Sequence, residues 1–372
     1  MRVTLERAAL LKSLNHVHRV VERRTTIPIL SNILLKADDG ALKLKATDLD
    51  IEVVETATAD VSQAGATTVP AQVIYDIVRK LPDGAQVVLE IGPDSGTLIL
   101  SAGRARFTLQ TLPESDFPDI TAGEMTHRFG LPASNTKKLI DKTQFAISLE
   151  ETRYYLNGIY LHVAESDGAE VLRAVATDGH RLARVEIPAP EGSADMPGVI
   201  VPRKAVQELQ RLIEDPEALV DIELSANKIR FTIGTAVLTS KLIDGTFPDY
   251  ARVIPVGNDK TMKIDTAAFA RAVDLVSTVS SERGRAVKLA MGDGRLVLSV
   301  TNPDSGSATE ELPVGYDAEP LEIGFNARYL LDIAGQLESG NALFELADPG
   351  SPTLICEEGS REAIYVLMPM RV

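Results

Sequence analysis

Asp178, Gly179, His180 and Arg181, inside the stretch AVATDGHRLARVE (residues 174–186), put a carboxylate two positions from an imidazole. Histidine is the side chain whose proton affinity lies nearest neutral pH, and a carboxylate beside it can orient it as a general base. One reading is therefore a hydrolase built on Asp178 and His180. The bland reading is a strand end, with the Asp bonding local backbone in a turn. Residues 45–57, KATDLDIEVVETA, carry the same Ala-Thr-Asp with no His or Arg behind it, and residues 299–313, SVTNPDSGSATEELP, also lack the His. Ala-Thr-Asp thus reads as scaffold, and His180 and Arg181 as additions to one copy, the pattern of a site grafted on a shared fold.

Other chemistry is scarce. The chain has no phosphate-cradling Gly-x-x-x-x-Gly-Lys-Ser/Thr, no Gly-x-Gly-x-x-Gly, no Gly-x-Ser-x-Gly and no His-Glu-x-x-His. Of its five histidines only His16 and His18 are close, and two positions apart on a helix they point to different faces. We expect no catalytic residue, no metal and no cofactor. The single cysteine, Cys356, excludes an internal disulfide framework and reads as a small strand residue. The N-terminal MRVTLERAAL has no apolar signal-like run, and no apolar stretch reaches membrane-spanning length, so the expectation is a cytoplasmic protein.

The elements that must position His180 repeat three times. ATTVPAQVIYDIVRKL from residue 66 matches GVIVPRKAVQELQRLI from residue 198, and both copies close on Phe-Pro-Asp, at 117–119 and 247–249. LEIGFNARYLLDIAGQL from residue 321 is a third, more diverged copy. Each unit also opens on a strand leading into a helix: MRVTLERAALLKSL, HRFGLPASNTKKLI and KTMKIDTAAFARAV. Helical spacing predicts helices over 6–24, 71–81, 134–142, 203–214, 265–276 and 326–338, with alternating strands between them. The fold class is α+β, three repeated domains of two helices plus antiparallel sheets, over 1–121, 122–254 and 255–372.

The net charge of −15 argues against a nucleic-acid partner only if it is spread evenly. It is not. The predicted helices 6–24, 71–81, 134–142 and 203–214 each hold more Lys and Arg than Asp and Glu. On 203–213, Val206, Leu209, Leu212 and Ile213 share one face, with Lys204, Gln207 and Arg211 opposite. Because screening acts over about 10 Å, a polyanion responds to such a local face and not to the total charge. A domain of this size is about 35 Å wide. Six in a ring leave an opening of about the same width, enough for a duplex about 20 Å across. Six domains mean two chains joined head to tail, which also covers sheet edges that three domains alone would expose.

The chain resembles the bacterial sliding clamps, the β subunit (processivity factor) of replicative DNA polymerase III, over its full length. The resemblance is carried by TIPILSNILL (26–35), GATTVPA (65–71), RYYLNGIYL (153–161), VATDGHRLA (175–183), VIVPRKAV (199–206), TSKLIDGTFPDY (239–250), EIGFNARYLLD (322–332) and YVLMPMRV (365–372). It implies three clamp domains per chain, closing as a six-domain ring in a head-to-tail homodimer around duplex DNA, and no catalytic activity. It implies as partners double-stranded DNA without sequence preference, the DNA polymerase III catalytic subunit, a clamp loader that opens the ring with ATP, and other polymerases and repair proteins bearing a short clamp-binding motif. No membrane is involved.

The family's peptide pocket, matched motif by motif, implies Leu156, Thr177, Gly179, His180, Arg181, Leu182, Pro248, Arg252, Val253, Asn326 and Tyr329. The tail adds Val366, Leu367, Met368, Pro369, Met370 and Arg371. Methionines suit a groove that accepts several partners. The sequence departs from relatives at Gly284, Gly350 and Pro352, along one pocket edge, and at Glu150. For DNA the resemblance implies Arg24, with Arg79, Lys80, Lys137, Lys138, Lys142, Arg203, Lys204 and Arg211 on helices and Tyr154 and Tyr155 on a loop. For the dimer seam it implies Phe107 and Leu109 against Thr278 and Val279 of the other chain. The alternatives to a clamp are a repeat scaffold that binds proteins but no DNA, in which Lys137, Lys138 and Arg203 are dispensable, and the hydrolase, in which His180 is not.

Overall fold

Each predicted helix forms, most within two residues of its expected bounds. In the computed structural model, which describes residues 1–372 except 23–24, 95, 121–122, 281–285 and 339, they are α1 (Arg7–Val17), α2 (Ala71–Lys80), α3 (Ala133–Asp141), α4 (Arg203–Leu212), α5 (Thr266–Ser277) and α6 (Ala327–Ala334). Two end early. α1 stops at Val17 although basic and apolar residues continue to 24, and α6 stops before Gly335. The β-branched pair Val20–Val21 beyond α1 has low helix propensity, and glycine favours a helix end. Amphipathicity sets which face turns inward: Ala71, Ile74 and Val78 of α2 are buried, as are Val206, Leu209 and Leu212 of α4.

The chain divides into two compact units. The first comprises Met1–Lys137, Pro190–Pro197 and Lys204–Leu242; the second comprises Lys138–Ala189, Gly198–Arg203 and Ile243–Val372. In the first, a five-stranded sheet runs Asp60–Gln63, Arg2–Glu6, Gln86–Ile91, Thr97–Ala102, Ala105–Gln110. An eight-stranded sheet runs His127–Pro132, Leu219–Leu224, Lys228–Ile233, Ala236–Lys241, Ile51–Thr58, Ala41–Thr47, Asn32–Asp38, Gly65–Pro70. The second unit has an eight-stranded sheet, Val199–Pro202, Gly158–Ser166, Ala169–Thr177, Arg181–Pro188, Ser360–Leu367, Thr353–Glu357, Asn341–Leu346, Lys260–Asp265. Its four-stranded sheet runs Gly306–Pro313, Arg295–Asn302, Ala286–Gly292, Leu321–Asn326.

The ladders are antiparallel, and two of them join different repeats. Leu238 lies opposite Val53 in the first unit, and Leu182 opposite Val366 in the second. Hydrogen bonding thus continues from one repeat into the next with no exposed edge at these seams. Strict alternation buries one face, as in Thr97–Ala102, where Leu98, Leu100 and Ala102 point inward. Each such Leu, fully buried, contributes about 1.5–3 kcal/mol.

The Ala-Thr-Asp motif is the turn that its recurrence suggested. Asp178 Oδ1 accepts from the backbone N–H groups of His180 and Arg181 at 2.9 and 3.0 Å, and Thr177 Oγ1 donates to the Arg181 carbonyl at 2.7 Å. In the first repeat Asp48 Oδ1 accepts from Asp50 and Ile51 at 2.9 and 2.8 Å, and Thr47 donates to Ile51. In the third, Asn302 Oδ1 accepts from Asp304. The turn needs one left-handed residue, which is Leu49 (φ 81°) in the first repeat and Gly179 (φ 87°) in the second. Glycine removes the Cβ strain that leucine sustains there.

Candidate functional site

His180 therefore sits at the tip of a rigid turn, and the strand that follows it delivers Leu182 into a small apolar basin. Leu156, Val175, Leu182, Ile200, Phe247, Tyr250 and Val366 form one buried cluster, with Tyr155, Tyr160, Ile243 and Ile254 packed on it. Above it opens a pocket of about 460 Å³. Ten residues of the predicted set line it: Leu156, Thr177, Gly179, His180, Arg181, Leu182, Pro248, Val253, Val366 and Met368. Val253 and Met368 are exposed at the rim. A concave apolar basin edged by a few polar groups is the form that takes an apolar side chain of a ligand.

Arg181 is the most connected of these residues and is itself buried. Its Nε bonds Asp178 at 3.1 Å, Nη1 bonds Asp332 at 2.5 Å, and Nη2 donates to the Phe145 carbonyl at 2.6 Å. The guanidinium also lies 4.2 Å from the ring centre of Tyr329 and 5.0 Å from that of Phe145. Tyr329 in turn stacks near His180, with centroids 6.5 Å apart. Asp178 thus accepts two backbone N–H groups and a guanidinium, and among the described residues no hydrogen bond joins its carboxylate to the His180 imidazole. The geometry of a general base is not met, and the Asp178–His180 hydrolase is set aside. Among the described residues no three His, Cys, Asp or Glu side chains converge as a metal site.

Several predicted pocket residues stand elsewhere. Leu367 is fully buried and faces away from the basin, because neighbours on a strand alternate sides and Val366 and Met368 take the pocket side. Asn326 caps α6, its side chain accepting from Arg328 N–H at 3.0 Å. Arg252 is largely exposed and pairs with Asp249 at 2.7 Å. Pro369, Met370 and Arg371 line a second groove of about 1070 Å³, shared with Gly350, Lys288 and Glu322. The Pro352 carbonyl accepts from Asn258 at 3.0 Å, and Gly284 lies outside the described residues. Conversely, Arg153, Tyr155, Asp249 and Tyr250 line the pocket without having been assigned to it. Their signal was the adjacency of RYYL and FPDY to residues already placed there. Tyr155, expected on a DNA-facing loop with Tyr154, belongs to the pocket wall, whereas Tyr154 is 55% exposed.

The basic set divides by what each cation already touches. Lys80, Lys137 and Arg203 are exposed. Arg79 is exposed over the Tyr75 ring and pairs with Asp76. Arg211 pairs with buried Glu208, whose carboxyl burial pushes up in pKa, and Lys138 pairs with Glu362. Lys204 bonds Asp48 and the Val20 carbonyl. Lys142 corrects the expectation: it is 7% exposed, and its ammonium meets Glu338 at 3.1 Å, Glu357 at 3.4 Å and the Gln336 carbonyl at 2.8 Å. A cation so enclosed is an internal cross-link and presents no charge to a phosphate. Arg24 lies outside the described residues.

Residues 1–121, 130–249 and 251–371 match the N-terminal, central and C-terminal domains of the DNA polymerase III beta subunit. The chain is 54% identical to the beta sliding clamp of Caulobacter vibrioides and 40% identical to that of Escherichia coli K12, in each case over 100% of both chains. Its fold superposes on the sliding clamp (DNA polymerase III subunit beta) of Bartonella birtlesii bound to griselimycin with a TM-score of 0.97, at 57% identity and 100% coverage of both. The Caulobacter crescentus pol III beta structure gives 0.95 at 54% identity, again over 100% of both chains. With three domain matches in order and full-length identity above half, the chain belongs to the DNA polymerase III beta subunit family, the beta sliding clamps, and acts as that family does, as a non-enzymatic processivity clamp.

Proposed function

We propose that two copies of this chain close head to tail into a ring of six clamp domains, bounded at 1–121, 122–254 and 255–372, that encircles duplex DNA in the cytoplasm. The ring tethers the replicative polymerase, and other polymerases and repair proteins, through the pocket around Leu182 and Val366, and a clamp loader opens it. The pocket carries this reading. It is an apolar basin of about 460 Å³ with an exposed methionine and valine at its rim, which suits the Leu and Phe side chains of a Gln-Leu-x-Leu-Phe type peptide.

Ring closure is supported by two sheet edges. Ala105–Gln110 and Gly306–Pro313 each end a sheet with no further partner strand among the described residues. Open edges of this length are templates for pairing. Their charges are opposite, with exposed Arg104 and Arg106 on or beside one and Glu310 and Glu311 on the other. Phe107 and Leu109 lie on the first edge strand. Thr278 and Val279 follow α5, and Leu275, one turn earlier, is 60% exposed and joins them in the proposed seam.

Arg24, Arg79, Lys80, Lys137, Lys138, Arg203, Lys204 and Arg211, with Tyr154, form the proposed DNA face. Contacts of this kind are phosphate-directed and salt-sensitive. Their weakness is functional, because topology retains the ring while loose contacts let it slide. Small-angle scattering with absolute mass tests the closure: a particle of about twice 40.1 kDa with a hollow distance distribution is expected. A monomer at micromolar concentration overturns it.

A further inference from the structure

Tyr250 lines the pocket, yet its hydroxyl is held from behind by groups that do not. Tyr250 Oη lies 2.9 Å from His162 Nε2 and 3.5 Å from Arg173 Nη1. His162 Nδ1 lies 3.0 Å from the Val163 carbonyl, which can only accept. Nδ1 therefore carries the proton, Nε2 is the acceptor, and Tyr250 donates to it while accepting from Arg173. The direction of every bond from Arg173 to the Val163 carbonyl is thereby set. Arg173 is anchored in turn by Glu186 at 2.7 Å, which Ser166 also bonds at 2.8 Å. Burial lowers the proton affinity of His162; the Val163 carbonyl opposes this and the Arg173 charge adds to it, so the ring stays neutral and able to accept. The rings are packed as well as bonded: His162 stacks on Tyr160 at 4.6 Å, and Tyr160 on Phe247 at 4.9 Å.

We infer that Tyr250 is a specificity-determining residue of the peptide pocket, and that His162 and Arg173 are its positioning residues, holding the phenol tip away so that the pocket presents an aromatic floor with no hydrogen-bonding group. The inference rests on the pocket reading above and names what makes that pocket select an apolar side chain. A site whose polar group is satisfied elsewhere does not pay to desolvate it when a Leu or Phe side chain enters.

The test is a rescue. Titration of a synthetic Gln-Leu-x-Leu-Phe peptide is expected to show His162→Leu binding about tenfold more weakly, because the hydroxyl proton loses its acceptor. His162→Gln, which restores an acceptor, should bind within about threefold of the unaltered protein. Tyr250→Phe added to His162→Leu should recover the affinity, since no hydroxyl remains to be placed. A purely structural role for His162 gives no such recovery. Unchanged binding by His162→Leu, or failure of Tyr250→Phe to rescue it, overturns the inference and leaves the pocket reading standing. Absence of peptide binding by the unaltered protein overturns both. Should His162→Leu not fold, nitrogen NMR of the unaltered protein decides: an Nδ1–H tautomer is expected, and an Nε2–H tautomer overturns the relay.

Discussion

Arg181 of the second repeat and Asp332 of the third are joined by a 2.5 Å ion pair, in which the guanidinium is almost wholly buried and the carboxylate partly exposed. The same guanidinium bonds Asp178 and covers the Tyr329 ring, so one side chain holds the His180 turn against α6.

Removing that side chain should uncouple the two walls. Arg181→Ala leaves Asp178 and Asp332 without their shared cation and is expected to cost about 3 kcal/mol. Asp332→Asn keeps a hydrogen-bond acceptor and should cost about 1 kcal/mol. Urea unfolding measures both. Peptide affinity should fall in the same order, and equal affinity in the two variants would show that the wall is held by something else.

Lys137 and Lys142 are close neighbours in sequence and should behave differently. Lys137→Glu or Arg203→Glu should weaken DNA retention and reduce the slope of log affinity against log salt, by about one unit for each phosphate no longer neutralised. Lys142→Ala should leave that slope unchanged and lower stability by about 2–3 kcal/mol, through the uncompensated Glu357. Salt titrations of equilibrium binding to a short linear duplex, on which topology cannot retain the ring, separate the two outcomes.

The opposed edge charges predict an ionic component in dimerisation. Arg106→Glu should raise the dimer dissociation constant about tenfold. The effect should shrink at 1 M salt, where screening acts within about 3 Å. Adding Glu310→Arg should return part of the loss. Sedimentation at several concentrations provides the readout, and an Arg106→Glu protein as dimeric as the unaltered one would exclude this edge from the seam.

His16 predicts a pH dependence in the first unit. Burial disfavours its charged form, but Glu55 at 2.6 Å and Glu214 at 3.2 Å together outweigh this, and the imidazole pKa is raised above 6.5. Protonated His16 is thus bound more strongly in the folded state. Its contribution is full below the unfolded value of 6.5 and is lost as pH rises through the higher folded value. The unfolding midpoint should drop as pH rises above 6.5, and His16→Gln should flatten that part of the curve. An identical slope in His16→Gln would assign the dependence to other groups.

Much of this molecule was readable before folding because it is local. The threefold repeat, the strand–Pro–helix passages at Val69-Pro70 and Val201-Pro202, and the Asx turn at Asp48 and Asp178 depend on residues within a few positions of each other. Periodicity identified the buried face of α4 for the same reason. The full-length resemblance added the pocket set, and ten of its members meet in one basin.

What the tertiary structure alone decided is where polar side chains of the same type send their charge. Lys137 and Lys142 look equivalent in a charge count, but only Lys142 meets Glu338 and Glu357, which lie far along the chain in the third repeat. Leu367 and Val366 are both apolar, and strand alternation in the assembled sheet sends one inward and one to the pocket. Tyr250 is bonded by His162 and Arg173, which no motif connects to it. Local sequence determines backbone conformation and hydrophobic faces through short-range sterics and periodicity. The partner of a buried charge or hydroxyl is set by which distant elements desolvate it, and that is decided only when the sheets close.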